Sequence, residues 1–149
     1  MYRQAICAVF VNKENKILLG FNSKDGVYTM CQGGIEEGET PKEACKREVK
    51  EELGFKISDE DLEAEFEEIV KCEWVKDKSL DYYETEFIGQ ELKIFKIFFD
   101  EEKMNFSQSN EFENPVWIYP HEIHKFNISL GKIKFKLEAY KEIIKIIGI

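Results

Sequence analysis

Residues 33–55, GGIEEGETPKEACKREVKEELGF, constrain this chain more than any other stretch. Thr40-Pro41-Lys42-Glu43 has the form of a helix start, with a Thr cap, Pro at the first helical position and Glu three residues after the cap. Gly54 supplies the stop. Between them Cys45, Val49 and Leu53 recur at i, i+4 and i+8 and define a buried stripe. The same spacing places Glu48, Glu51 and Glu52 on one face, opposite that stripe. Like charges so arranged repel, at about 0.2–0.5 kcal/mol per exposed pair. A hard divalent cation removes the penalty, because Mg²⁺ and Mn²⁺ favour carboxylate oxygens and keep waters that a phosphate can replace. The alternative is a solvated acidic helix with Lys42, Lys46 and Lys50 as counter-charges.

Around this segment the pattern alternates between strands and one further helix. Residues 3–11 and 16–21 read as a β-hairpin interrupted by Asn12-Lys13-Glu14-Asn15, and residues 28–32 as a short strand entering the glycine turn. Strands are also expected over residues 66–75, 82–88 and 92–99, and Asn114-Pro115 breaks the chain before a short strand over 116–119. Ile133, Leu137, Tyr140, Ile144 and Ile147 alternate by four and three, so the C-terminal segment is expected to form an amphipathic helix packed on the sheet. Without a regular βαβ rhythm, an α+β sandwich with a mixed sheet between helices fits best.

A chain of 149 residues, 43% hydrophobic, supports one core, and a single domain over residues 1–149 is expected. No run of about 18 apolar residues occurs, and the N-terminus lacks the pattern of a secretory signal, so a cytoplasmic protein with no membrane contact is expected. Cys7, Cys31, Cys45 and Cys72 form no C-x-x-C pair and read as reduced packing residues. The net charge of −9 argues against tight nonspecific binding to nucleic acid. A polyanionic substrate needs a cation as intermediary here.

Residues 33–55 resemble the Nudix box, G-x5-E-x7-R-E-U-x-E-E-x-G-U, with U a bulky apolar residue. Gly33, Glu39, Arg47, Glu48, Val49, Glu51, Glu52, Gly54 and Phe55 fill its fixed positions. The resemblance implies a Nudix-type α/β/α sandwich and a metal-dependent pyrophosphohydrolase, with Mg²⁺ or Mn²⁺ as cofactor. Glu48, Glu51 and Glu52 would be metal ligands, one of them or a carboxylate outside the box polarising the attacking water. Arg47 would orient Glu48, Glu39 would brace the loop, and backbone carbonyls near Gln32 and Gly33 would be extra ligands.

The flanks resemble the RNA pyrophosphohydrolases and the related dinucleoside tetraphosphate hydrolases. Tyr2-Arg3-Gln4 is similar to their Y-R-P-N-V start, Gln32-Gly33-Gly34-Ile35 to P-Q-G-G-I, Gly89-Gln90-Glu91-Leu92-Lys93 to G-Q-x-x-K, and Glu111-Phe112 with Trp117 to E-F-x-x-W-x-W. Carried over, Glu111 becomes a fourth metal-site carboxylate or the general base. Glu51, Glu52, Glu111 and Arg47 are thus the catalytic candidates, and Arg3, Lys93, Gln90 and Lys24 the substrate contacts. The chain departs from the group where Cys31 replaces the Pro of its W-x-F-P-Q-G-G, and where Phe21 and Asn22 replace a basic pair and leave Lys24 as the nearby cation.

The substrate implied is an RNA 5′-triphosphate end or a dinucleoside polyphosphate. Capped mRNA, nucleotide sugars and oxidised nucleoside triphosphates are alternatives, as is a catalytically silent nucleotide-binding module, which usually loses box glutamates. His121 and His124 read as exposed residues of a short helix rather than a metal pair, and Tyr82, Tyr83 and Phe126 as core rather than base-stacking residues.

Overall fold

The computed structural model describes residues 1–73, 87–107, 109, 111–126, 128 and 136–149. The strands are β1 (Tyr2–Val11), β2 (Ile17–Asn22), β3 (Val27–Thr29), β4 (Cys31–Gly34), β5 (Leu62–Glu73), β6 (Gly89–Phe98) and β7 (Glu113–Ile118). The helices are α1 (Pro41–Leu53) and α2 (Lys136–Ile147), with short 3₁₀ turns at Asp59–Asp61 and Pro120–Lys125.

β1 organises the sheet. It runs parallel to β6 along its whole length, from Tyr2 opposite Gly89 to Val11 opposite Phe98. On its other side Ala5 to Ala8 pair antiparallel with Gly34 to Cys31 of β4, and β5 closes the far side of β6. Every residue from Ala5 to Val11 is buried, because both faces of β1 are covered. Ala5, Cys7, Val9 and Val11 pack with Ala139, Tyr140 and Ile143 of α2. Ile6, Ala8 and Phe10 pack with Ala44, Cys45, Val49 and Leu53 of α1. The result is an α+β fold, an α/β/α sandwich with a mixed sheet between helices. No helix among the described residues is long and apolar enough to cross a membrane.

α1 forms where its punctuation places it. Thr40 Oγ1 accepts from Glu43 N at 3.1 Å and Glu43 Oε1 accepts from Thr40 N at 3.0 Å, a cap that stabilises the helix by about 1 kcal/mol. Gly54 ends it at φ 87°, a left-handed conformation that costs glycine little. Cys45, Val49 and Leu53 are fully buried, as their spacing requires.

The expected hairpin is present, β1 pairing antiparallel with β2, but its ladder is confined to Val11 and Ile17, because each strand pairs elsewhere: β1 with β4 and β6, β2 with β3 and β7. Two expectations need correction. Asn114-Pro115 lies inside β7 rather than before it. This is tolerated because β7 pairs only with β2 among the described strands and its register shifts near Pro115, where a missing N–H breaks no ladder. On α2, Ile143 is fully buried while Leu137 and Ile144 are partly buried, so the stripe is rotated from the one expected. Ile133, Tyr82, Tyr83 and most of the expected strand over 82–88 lie outside the described residues.

Candidate functional site

The carboxylates of Glu48, Glu52 and Glu111 offer oxygens that all lie within 4.8 Å of one another. Glu48 and Glu52 are 8% and 5% exposed, which corrects the expectation that the three box acids stand opposite the apolar stripe. Each residue advances the helix by about 100°, so Glu52 and Glu48 lie along one edge of the stripe while Glu51 points further away from it. Glu51 is exposed accordingly and stands outside the cluster, its Oε2 accepting from Arg47 Nη1 at 3.2 Å.

Gly33 makes room for Glu48. A Cβ at this position would collide with all three atoms of the Glu48 carboxylate, so the acid rests directly on the backbone of β4. From the other side Arg47 fixes it. Nη1 donates to Glu48 Oε1 at 2.8 Å, Nη2 to the carbonyl of Gly34 at 2.8 Å, and Nε and Nη2 to the two oxygens of Glu39 at 2.7 and 2.9 Å. Glu39 Oε1 also accepts from Glu36 N at 3.0 Å, which ties the loop to the helix. This bidentate pair and its Arg47 hydrogen bond hold the Glu39 carboxyl below its usual range.

Glu52 meets a neutral thiol and the carboxylate of Glu111. Cys31 Sγ donates to Glu52 Oε2 at 2.9 Å. Burial pushes the Glu52 carboxyl well above the usual carboxylate range, and the charges of Glu48 and Glu111 push it further. Burial raises Glu48 too, against the pull of Arg47. Burial keeps the Cys31 thiol protonated, its ionisation pushed well upward. Two buried carboxylates that resist ionisation beside a third form a donor set suited to a hard divalent cation, which favours their charged forms.

Glu111 comes from a distant part of the chain, and its placement has a local cause. Ser109 Oγ donates to the carbonyl of Glu52 at 2.9 Å and accepts from Phe112 N at 3.2 Å. The Phe112 ring, 1% exposed, lies against Gly20 of β2 where any side chain would collide with it. The turn between these anchors presents Glu111 to Glu52. Lys24 Nζ stands 3.8 Å from Glu111 Oε1, so the expected substrate cation Lys24 is at the rim of the cluster.

The remaining expected contacts divide between the two faces of the sheet. Lys93 and Gly33 are both in register with Ile6, a row on the α1 side that leads to the carboxylates. Arg3 is in register with Gln90, and its guanidinium lies over Gly34 on the α2 side. Gln90 is buried. Strand alternation thus separates Arg3 and Gln90 from Lys93. Gln32 also turns its side chain to α2, where Oε1 accepts from the Tyr140 hydroxyl at 2.5 Å. The same hydroxyl accepts from Met30 N at 3.0 Å and lies 2.9 Å from Thr29 Oγ1, which holds β3 and β4 to α2. His121 and His124 are exposed in a 3₁₀ turn. Phe126 stacks edge-on against Tyr28 at the core. Sequence reasoning missed Cys31, Ser109 and Tyr140. Cys31 alone carried a signal, its place two residues before Gly33 where the resembling group has Pro.

The family model for the NUDIX domain matches residues 1–138. An RNA pyrophosphohydrolase of Hydrogenovibrio crunogenus is 31% identical over 78% of this chain and 73% of its own length. An RNA pyrophosphohydrolase of Francisella tularensis is 28% identical over 95% of this chain and 90% of its own. Among solved structures, the E. coli dihydroneopterin triphosphate pyrophosphohydrolase superposes with a TM-score of 0.72 at 20% identity, covering 100% of this chain and 99% of the other. The chain belongs to the Nudix family and is a pyrophosphohydrolase of that family.

Proposed function

We propose that this protein is a divalent-metal-dependent hydrolase of a phosphoanhydride bond in RNA 5′-triphosphate ends or dinucleoside polyphosphates. The cluster of Glu48, Glu52 and Glu111 is the observation that carries the reading; similarity to proteins named RNA pyrophosphohydrolase supports the substrate class. Glu48, Glu52 and Glu111 would hold Mg²⁺ or Mn²⁺, with the carbonyls of Gln32 and Gly33 as proposed further ligands and Glu51 completing the acid set through the Arg47 it shares with Glu48. When bound, such a cation neutralises phosphate charge and lowers the pKa of a coordinated water.

The chain's own groups divide the remaining work. Arg47 keeps the Glu48 carboxylate turned toward the cluster. Glu111, the exposed member, would accept a proton from water on the oxygen it does not offer to the cation, as the new P–O bond forms and the anhydride P–O bond breaks, the leaving phosphate carrying away the bonding electron pair. Lys24 and Lys93 meet phosphate oxygens from the rim and from the row beside Gly33. A chain of net charge −9 offers few such cations. Substrates read mainly through their phosphates are therefore favoured over long nucleic acid.

The test is a product-mass assay with Mg²⁺ and Mn²⁺ on triphosphorylated RNA, diadenosine tetraphosphate, ADP-ribose, capped RNA and oxidised nucleoside triphosphates. Pyrophosphate or phosphate release from triphosphorylated RNA, and cleavage of diadenosine tetraphosphate into two mononucleotides, both absent without metal, are the expected results. Turnover confined to the other three would overturn the substrate assignment, and turnover of none would overturn the metal-dependent reading.

A further inference from the structure

We propose that Cys31 is a positioning residue whose thiol holds the Glu52 carboxylate in the orientation the metal centre needs. The inference rests on the metal reading of Glu48, Glu52 and Glu111 given above. Glu52 is 5% exposed and Cys31 1% exposed, so neither can turn to water for a partner. A buried carboxylate oxygen without a donor costs about 1–3 kcal/mol or more. Cys31 Sγ supplies that donor to Oε2 at 2.9 Å. The thiol stands behind Glu52 and outside the group of carboxylate oxygens that approach one another, so it acts on Glu52 and not on a cation directly.

Geometry makes this contact a consequence of β4. Cys31 and Gly33 alternate to the same side of the strand, the side facing α1. Glu48 and Glu52 are one helical turn apart on α1. Gly33 receives Glu48 by having no side chain, and Cys31 receives Glu52 by offering an S–H. The two strand positions thus meet the two helix positions in matching steps. Proline, the residue of the resembling group at this place, has no donor on its side chain. In this chain the thiol performs a task for which the residue type matters and size alone does not suffice.

Partners behind a metal ligand typically change metal affinity or activity by about 10–100-fold when removed. The test measures Mn²⁺ affinity by the electron paramagnetic resonance signal of free Mn²⁺, together with kcat and KM, in wild type, Cys31→Ala, Cys31→Ser and Glu52→Gln. Circular dichroism and thermal melting establish that each is folded. Cys31→Ala is expected to weaken Mn²⁺ binding about tenfold or more and to lower kcat, with KM for substrate at saturating metal unchanged. Cys31→Ser, which keeps a donor, is expected to recover most of the loss. Wild-type Mn²⁺ affinity in folded Cys31→Ala would overturn the proposal, and so would equal losses in Ala and Ser, which would make the effect one of packing. If wild type binds no Mn²⁺, or Glu52→Gln binds it as wild type does, the metal reading itself falls and this inference with it.

Discussion

Glu48 and Glu52 occupy successive turns of one helix, are buried to nearly the same degree, and have opposite surroundings. Glu48 touches a guanidinium that is itself held by Glu39, Glu51 and the Gly34 carbonyl. Glu52 touches a thiol and a second carboxylate. Burial raises both carboxyls, but only at Glu48 does a permanent cation answer it. The lesson is that the unmet negative charge of the site is concentrated at Glu52 and Glu111. An added cation would be needed most at that end, while Arg47 offsets part of the burial at the other.

The sharpest way to break this comparison is Glu52→Gln. Activity is expected to fall by more than the roughly 10–100-fold of an outer partner, because Glu52 is proposed to touch the metal itself. The metal-free variant should melt higher than wild type at neutral pH, since Gln carries neither the buried charge nor the retained proton that burial imposes on Glu52. Near-normal turnover, or a lower metal-free melting temperature, would show that the two ends of the site are alike. Arg47→Lys addresses the opposite end. Lysine cannot reproduce the two-pronged bond to Glu39 while also reaching Glu48 and Gly34, so kcat should drop by about 10–100-fold. Urea unfolding should show a loss of about 1–3 kcal/mol, with Arg47 only partly exposed.

How much of this was legible in the sequence follows from the range of the forces involved. Cap, stop and apolar stripe of α1 are set by neighbours within a turn or two, and the structure has them where Thr40, Pro41, Glu43 and Gly54 place them. The pairing of Arg47 with Glu48 and Glu39 is likewise local, within eight residues. Which side of α1 is buried beside the stripe depends on β4, and no local rule reveals that Glu48 finds space over Gly33 while Glu51 does not. The splitting of β1 from β2 is set by long-range partners, β6 above all. Ser109 reaches the carbonyl of Glu52 across 57 residues of chain, so its part in placing Glu111 had no local signature at all.

The contrast between the two acids also predicts a pH dependence. Burial raises the Glu52 carboxyl above the ordinary carboxylate value of about 4.3. Between that value and the raised one, the folded metal-free chain keeps a proton that the unfolded chain has released, so stability falls as pH rises. Glu39, Glu43, Asp59, Asp61 and Glu122 are shifted downward and act with the opposite sign toward acid pH. Comparing wild type with Glu52→Gln in a chelator removes their shared contribution. Thermal melting from about pH 5 to about pH 8 should fall more steeply in wild type than in the variant. Saturating Mg²⁺ should flatten or reverse that difference. Parallel curves would mean that Glu52 is as well compensated as Glu48.

The smallest effect concerns the rim. Lys24 and Glu111 are both well exposed at 3.8 Å, a geometry that contributes roughly 0–1 kcal/mol to stability. Lys24→Ala should therefore leave melting unchanged. If Lys24 serves substrate phosphate, the variant should raise KM about two- to fivefold at low ionic strength, with the difference shrinking as salt approaches about 0.15 M, where charges are screened beyond about 8 Å. kcat should stay near wild type, because an exposed pair at 3.8 Å holds Glu111 only weakly. A fall in kcat with KM unchanged would instead give Lys24 a part in holding Glu111, and the uncompensated end of the site would then have an internal cation after all.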